Sequence, residues 1–462
     1  MKTILPLLVA SFALGQGLPA DQQTEAREIL RELIDTNTTD SVGDTARAAE
    51  AVAARLLAAG FPKDDVRVLP DGPRKGNLVV RYRGAGSGKP ILFLAHLDVV
   101  EARREDWSVD PFHMVEQDGY FYGRGSNDDK SGDADLIANL VRLKREGFQP
   151  QRDLVVALTT DEEGGTHNGV KWLLATHRDL IDAEFCINTD AGGGELDNGK
   201  HVALDVSGAE KGFQSYRLEV KNSGGHSSLP TRDNAIYRLA QALTRISQYT
   251  FPVQMNDVTR EYFRRMSEIQ KGPFSADMKA VTEEPVWPGP VSRLSASPYY
   301  NALLRTTCVA TMLSAGHAEN ALPQTATAII NCRLVPGDTA DNVEKTLKRV
   351  IATPVVSVTP LESTGVSTVT PPSPEVLEVI TSVAHETWPG VPVVPTMDTG
   401  ASDGKYTRLA GIPTYGVSAV FDDVNDVRAH GRDERIGVQP YYDSVEYYYR
   451  LMKALGGVTV SH

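Results

Sequence analysis

Cysteine is scarce: Cys186, Cys308 and Cys332 are the three in 462 residues. That excludes the multiply bridged scaffold of a small secreted domain, and the odd number leaves at least one thiol unpaired. Cys308 and Cys332 can join if their strands are neighbours. Basic runs are also lacking. With a net charge of −13 and no Lys/Arg stripe to track phosphates, a nucleic-acid partner is excluded. The charge says little about the substrate, because net charge governs solubility more than a site. Beyond the first residues no apolar run approaches the ~20 residues that a membrane span needs.

What is present begins with Lys2, an apolar stretch from Ile4 to Leu14, and small residues around Gly15, Gly17 and Ala20. This is the layout of a secretory signal peptide over residues 1–20. It predicts an exported protein, periplasmic or secreted, with no membrane span once the signal is removed. Hydrophobic residues at 41% and charged residues at 23% are globular values. The length calls for two domains or one domain with a large insertion.

The stretch Ile91-Leu-Phe-Leu-Ala-His96-Leu-Asp98 reads as a buried strand that ends in a histidine and an aspartate. In an open α/β sheet, ligands bind at the carboxyl ends of strands. A neutral imidazole there can hold a metal, and a carboxylate two residues on can take its other N–H. Alone, His-x-Asp is as well explained by a structural histidine. Further on, Gly123-Arg-Gly125-Ser-Asn-Asp128-Asp129-Lys130 precedes a helix over 133–145, whose start the two aspartates could simply cap. After the apolar run Leu154–Leu158 comes Asp161-Glu162-Glu163-Gly164, and after Glu184–Asn188 comes Thr189-Asp190. Consecutive carboxylates repel unless a cation is near or water surrounds them. A metal site needs one carboxylate to ligate and a neighbour free as general base. Four such clusters at strand ends or helix starts are hard to obtain from solvated turns alone.

Strands alternating with helices predict an α/β sheet. From Gly208 the pattern changes. A strand over 213–220, the loop Gly225-His226-Ser-Ser-Leu-Pro230, a helix over 234–249, strands over 306–313 and 325–334, a helix over 340–351 and a strand over 355–360 give a βαββαβ order. A Pro-, Gly- and Ser-interrupted stretch runs from Phe251 to Tyr300. The expected division is a catalytic domain over 21–207 and 366–462 with an inserted segment over 208–365.

In combination, His96-x-Asp98, Gly123-Arg-Gly-x-x-Asp128-x-Lys130, Asp161-Glu-Glu-Gly164, Gly225-His-Ser-Ser-x-Pro230, Asn320-x-x-Pro323 and His430-Gly-x-x-Glu434 resemble the dinuclear zinc hydrolases. That group includes aminoacylase, carboxypeptidase S, glutamate carboxypeptidase and succinyl-diaminopimelate desuccinylase. The resemblance covers residues 25–455 and is nearest the carboxypeptidase S and N-acyl amino acid hydrolase branch. It implies a central mixed sheet flanked by helices and a ferredoxin-like lid. It implies two zinc ions, with Co²⁺ or Mn²⁺ able to substitute. His96 and Asp190 would hold the first, Glu163 and His430 the second, and Asp128 would bridge them across a cis bond to Asp129.

Glu162 matches the general base for a hydroxide shared by the metals, and Asp98 the partner of His96. His226 matches the histidine that supports the oxyanion, often from a partner subunit in a homodimer formed through the lid. Asn320, Arg333, Gly400 and Ala401 match the pocket for the substrate carboxylate. The lid would swing on hinges near 207–212 and 362–372, and the interrupted stretch from Phe251 to Tyr300 is long for a minimal lid. The implied substrate is a short peptide or an N-acyl amino acid, cleaved at the amide beside a free carboxylate. The competing reading is a binding protein that keeps the fold without the chemistry; the presence of every expected ligand and of Glu162 weighs against it.

Overall fold

The computed structural model describes residues 17–365, 369–371 and 373–457. Residues 1–16 of the expected signal peptide, and 366–368 and 372 of the second expected hinge, lie outside them.

The long apolar runs form the centre of the larger sheet. Ile91–His96 is buried along its whole length between Leu154–Thr159 and Phe185–Asn188, parallel to both. Ile91, Phe93 and Ala95 pack on one face with Leu33, Ile137 and Tyr448 of the helices Ala20–Asp35, Lys130–Arg145 and Val438–Gly457. Leu92 and Leu94 pack on the other with Val170 and Leu173 of the helix Gly169–Thr176. Cover on both faces explains why these strands show no polar alternation.

Among the described residues the sheet has ten strands. Antiparallel pairs at Gly76–Tyr82 with Leu154–Thr159, and at Gly193–Asp197 with Lys200–Glu210, make it mixed. No helix among the described residues is long and apolar enough to cross a membrane.

A smaller sheet takes its strands in the order Thr307–Ala315, Thr325–Leu334, Gly212–Lys221, Val356–Gly365, each antiparallel to the next. Its inward residues Ala328, Ile330, Leu218 and Val220 meet Leu239 and Ala242 of the helix Ala235–Gln248, and Leu347 and Ile351 of the helix Ala340–Ile351. Cys308 stands opposite Cys332 in the register. The two form a disulfide, while Cys186 is free and buried.

The interrupted stretch from Phe251 to Tyr300 is largely helical. It carries the helices Asp257–Ile269, Pro273–Ala280, Pro288–Leu294 and Pro298–Leu304. The prolines that read as interruptions stand in the first turn of three of them, where the missing N–H has no helical partner anyway. Val258, Tyr262, Phe263 and Met266 form one helical face. That face packs on Ala203, Ala209, Val394 and Met397 of the larger sheet. By chain position this segment falls inside 208–365, but by packing it belongs with the catalytic sheet.

The chain passes from the larger to the smaller sheet at Glu210–Gly212. Lys211, fully buried at that crossing, donates to the carbonyls of Ala302 (3.0 Å) and Arg305 (2.8 Å) and to Thr307 Oγ1 (3.1 Å). None of these acceptors is charged. Burial, helped by the charge of Arg333, pushes the lysine down to about 7. The folded value therefore lies below that of the unfolded chain, so between about pH 7 and pH 10 the unfolded state binds the extra proton and stability rises with pH. Relative to Lys211→Met, wild-type stability is expected to gain up to ~1.4 kcal/mol per pH unit across that window. Denaturant titrations of both proteins at several pH values check this; a difference that stays constant with pH would remove the lysine from the linkage.

Candidate active site

Parallel pairing brings the chemistry to one edge. His96 lies opposite Thr159, and Leu94 opposite Asn188. The strand ends thus deliver His96, the turn 160–163 and the pair Thr189-Asp190 side by side. The glycines after Asp190 have a steric reason. Gly192 has φ +70°, and a Cβ there would stand 2.5 Å from the carbonyl oxygen of Asp205.

Asp128 arrives on the loop before the helix Lys130–Arg145. Glu434, fully buried, holds that loop by accepting from the amides of Asn127 (3.0 Å), Asp128 (3.1 Å) and Gly125 (3.2 Å) and from Arg124 Nη1 (2.5 Å). The Asp128–Asp129 peptide is cis, as the resemblance implies. Asp129 does not cap the helix through its side chain; it accepts from Thr189 Oγ1 at 2.5 Å.

Asp128 Oδ1 lies 3.1 Å from His96 Nε2, and Oδ2 lies 3.1 Å from His430 Nε2. Asp190 Oδ2 stands 3.8 Å from His96 Nε2, and Glu163 Oε1 stands 2.8 Å from His430 Nε2. Burial pulls His96 down, but the hydrogen bond to Asp128 and the charges of Asp190 and Asp98 outweigh it, and the imidazole sits well above its ordinary value. Hydrogen bonds to Asp128 and then Glu163 raise His430 to about 10. Burial, then the charge of Asp128, pushes Asp190 well up.

The three consecutive carboxylates at 161–163 have different neighbours, which eases their mutual repulsion without removing it. Asp161, with φ +57°, is turned away and receives Lys75 Nζ at 2.6 Å and the His167 amide at 2.9 Å. Glu163 meets His430. Glu162 forms no ion pair among the described residues, and burial followed by the charge of Asp403 raises its carboxyl well above the ordinary range, although the charge of His96 pulls the other way. Asp403 itself is held by Asn168 Nδ2 at 2.6 Å and Thr159 Oγ1 at 3.2 Å.

Asp98 stands beside His96 with two of its oxygens at different distances. His96 Nδ1 faces the backbone carbonyl of Asp98 at 2.9 Å, while the carboxylate stands 3.8 Å away. That carboxylate instead accepts the amides of Glu162 (3.1 Å) and Glu163 (3.0 Å). With the tautomer fixed by a carbonyl, the side chain is left to hold the acidic turn.

A cavity of about 520 Å³ joins Asp128, Glu162, Glu163, Asp190 and His430 to Gly400 and Ala401. His226, Asn320 and Arg333 do not line it. His226 lies exposed in a short ribbon with Ala321–Leu322, its Nδ1 accepting from Ser228 Oγ at 2.7 Å. Asn320 ties that ribbon by accepting the Ser227 amide at 3.0 Å through its carbonyl. Arg333 stacks over Phe213, 5.0 Å from the ring centre.

The donors fit a pair of divalent cations. Among the described residues, two groups bring ligand atoms within 4.8 Å of one another: His96, Asp128, Asp190, and Asp128, Glu163, His430. Asp128 belongs to both and offers one oxygen to each. Imidazole with carboxylate is a catalytic zinc donor set. Glu434 and Lys75 were not selected from the sequence as site residues. The spacing His430-Gly-x-x-Glu434 carried the first; nothing local signals Lys75.

This architecture and donor set define a metal-dependent hydrolase. The model of the peptidase family M20/M25/M40 matches residues 92–454, and the chain belongs to that family. It is an amide-bond hydrolase of the carboxypeptidase and aminoacylase kind. It is 32% identical over 374 residues to an N-fatty-acyl-amino acid synthase/hydrolase of Xenopus tropicalis, covering 79% of this chain and 72% of that protein. To a probable carboxypeptidase S-like protein of Dictyostelium discoideum it is 32% identical over 400 residues, covering 82% and 74%. The fold matches an M20 metallo-carboxypeptidase of Sulfolobus solfataricus with TM-score 0.69 at 17% identity, over 94% of this chain and 99% of that one. It also matches a dinuclear metal-binding M20 peptidase of Bacillus subtilis with TM-score 0.59 at 12% identity, over 95% and 99%.

Proposed function

We propose that the chain hydrolyses the amide bond beside a free carboxylate in short peptides or N-acyl amino acids, using two divalent cations, zinc first among them. His96, Asp128 and Asp190 would hold one, and Asp128, Glu163 and His430 the other. The observation that carries this reading is Asp128, whose two oxygens each face one imidazole. Bound cations would polarise the scissile carbonyl and acidify water. The chain's own residues do the rest. Glu162 takes the proton of the attacking water and returns it to the leaving amine. Asp98, by gripping the Glu162 and Glu163 amides, fixes the turn that aims both side chains. Gly400 and Ala401 form the wall beside the substrate. Asn320 and Arg333 reach its carboxylate, and His226 the carbonyl oxygen, once the smaller sheet closes over the cavity.

Counting ions in the zinc-loaded protein and assaying dipeptides and N-acyl amino acids tests the reading. Two ions per chain with turnover support it; turnover that survives complete chelation overturns it.

Two further features belong to this proposal. Export is supported by the signal-like residues 1–20 and by the Cys308–Cys332 disulfide, which persists in oxidising compartments. A homodimer through the smaller sheet is supported by its edge strand Thr307–Ala315, where Val309, Met312 and Leu313 are 60%, 67% and 68% exposed. In such a dimer His226 acts across the interface. Mixing inactive His226→Ala with inactive Glu162→Gln under subunit exchange is then expected to restore activity, because one site of the mixed dimer keeps both groups. No recovery after verified exchange would confine His226 to its own chain or remove it from the reaction.

A further inference from the structure

The cavity has a second set of carboxylates beyond the two donor groups. Glu195, Asp205, Asp398 and Asp422 come from four strands that pair with one another: Asp422 lies opposite Glu195, Asp205 opposite Gly193 and Val394, and Asp398 ends the strand Val393–Asp398. All four line the same 520 Å³ cavity as Glu162 and His430. Asp205 is only 9% exposed. Among the described residues its carboxylate has no hydrogen bond and no ion pair, and its charged neighbours are Glu195 and Asp398.

Part of this wall is answered by the protein. The charge of Arg408 reaches Asp398, which also accepts the Gly192 amide at 3.4 Å, and Asn127 Nδ2 donates to Asp422 at 2.7 Å. The carboxylates of Glu195 and Asp205 have no ion pair among the described residues. No lysine or arginine is among the lining residues, and His430 is engaged with Asp128 and Glu163. Burial, then mutual repulsion, pushes the Asp205 carboxyl well up, and burial raises Asp398 to about 6. The two donor groups do not include these residues. Acceptors spread over several strands suit an organic cation with several N–H donors better than a compact ion.

We propose that this acidic wall binds a cationic group of the substrate, an ammonium or guanidinium, so that the preferred amides are peptides or acylated amino acids carrying a positive charge. The inference rests on the hydrolytic reading above and narrows its substrate class. A long alkyl acyl chain laid against the wall would leave the carboxyls of Glu195 and Asp205 without partners, which is costly.

Two substrate pairs test it with the zinc-loaded protein. Glycyl-leucine and N-acetyl-leucine differ by an ammonium on the acyl side, and N-acetyl-arginine and N-acetyl-citrulline by the charge on the amine side. In at least one pair the charged member is expected to lead by about tenfold or more in kcat/KM. The pair that shows the lead tells which side of the scissile bond meets the wall. In the double variant Asp205→Asn, Glu195→Gln that ratio is expected to collapse towards one, which a merely structural role would not produce.

Binding of the same compounds to zinc-loaded Glu162→Gln supplies a readout apart from turnover. Ratios at or below one in both pairs, or a ratio that the double variant leaves unchanged, overturn the inference. If all four compounds are cleaved equally, hydrolysis stands and the acidic wall falls. If none is cleaved but the charged members bind more tightly and lose that advantage in the double variant, the wall stands and the hydrolytic reading falls.

Discussion

Glu162→Gln is expected to lower kcat by about 10²–10⁴-fold, the usual worth of general acid–base catalysis, while both cations stay bound. Glutamine keeps the size of the side chain and its place in the turn, because the groups that Asp98 grips are the backbone amides of Glu162 and Glu163. The ligands proposed for the cations are other residues, so ion content should not change. What is lost is a group able to accept a proton from water and deliver it to an amine. A loss confined to kcat, with KM little altered, would place the interaction in the transition state. Metal analysis with steady-state kinetics checks both halves; an unaltered kcat would remove Glu162 from the mechanism.

The central strands were legible because burial on both faces demands continuous apolar residues. Ile91–Leu94 and Leu154–Leu158 have them, and the chemistry follows directly at their ends. The strands Gly193–Asp197 and Lys200–Glu210 were not legible. One opens on glycines, and the other buries Asp205, Ser207 and Glu210, so neither resembles a core strand. Those polar residues face the cavity or a buried arginine, and tertiary context overrides local pattern there. The helices over 257–304 were hidden by prolines whose place in a first turn becomes visible only once the helices are seen. For Asp98 the spacing left open which oxygen stands nearest His96. A spacing of two residues cannot tell a carboxylate from the carbonyl of the same residue, and in the fold the carbonyl lies at 2.9 Å and the carboxylate at 3.8 Å.

Arg408→Met is expected to destabilise the fold by ~3–5 kcal/mol, the usual result of removing one member of a buried ion pair. Arg408 Nη1 donates to Glu210 Oε1 at 2.8 Å, and both side chains are within 1% of full burial. The guanidinium also donates to the carbonyls of Thr414 (3.1 Å) and Ser207 (3.4 Å). Methionine keeps most of the volume but supplies no donor, which leaves the buried Glu210 carboxylate without its arginine counter-charge. Glu210 stands just before the crossing to the smaller sheet and also accepts the amide (2.9 Å) and hydroxyl (2.8 Å) of Ser402. Ser402 follows Gly400 and Ala401 in the cavity wall, so the same substitution should raise KM by loosening that wall. Replacing Glu210 as well, in Arg408→Met with Glu210→Gln, should recover a large part of the stability, since the stranded charge is gone. It should not recover KM, because the glutamine no longer offers Ser402 two carboxylate acceptors. Denaturant unfolding of the two single variants and the double variant closes the cycle. Additive losses would mean that the pair is not coupled, and the link from the crossing to the cavity wall would fall with it.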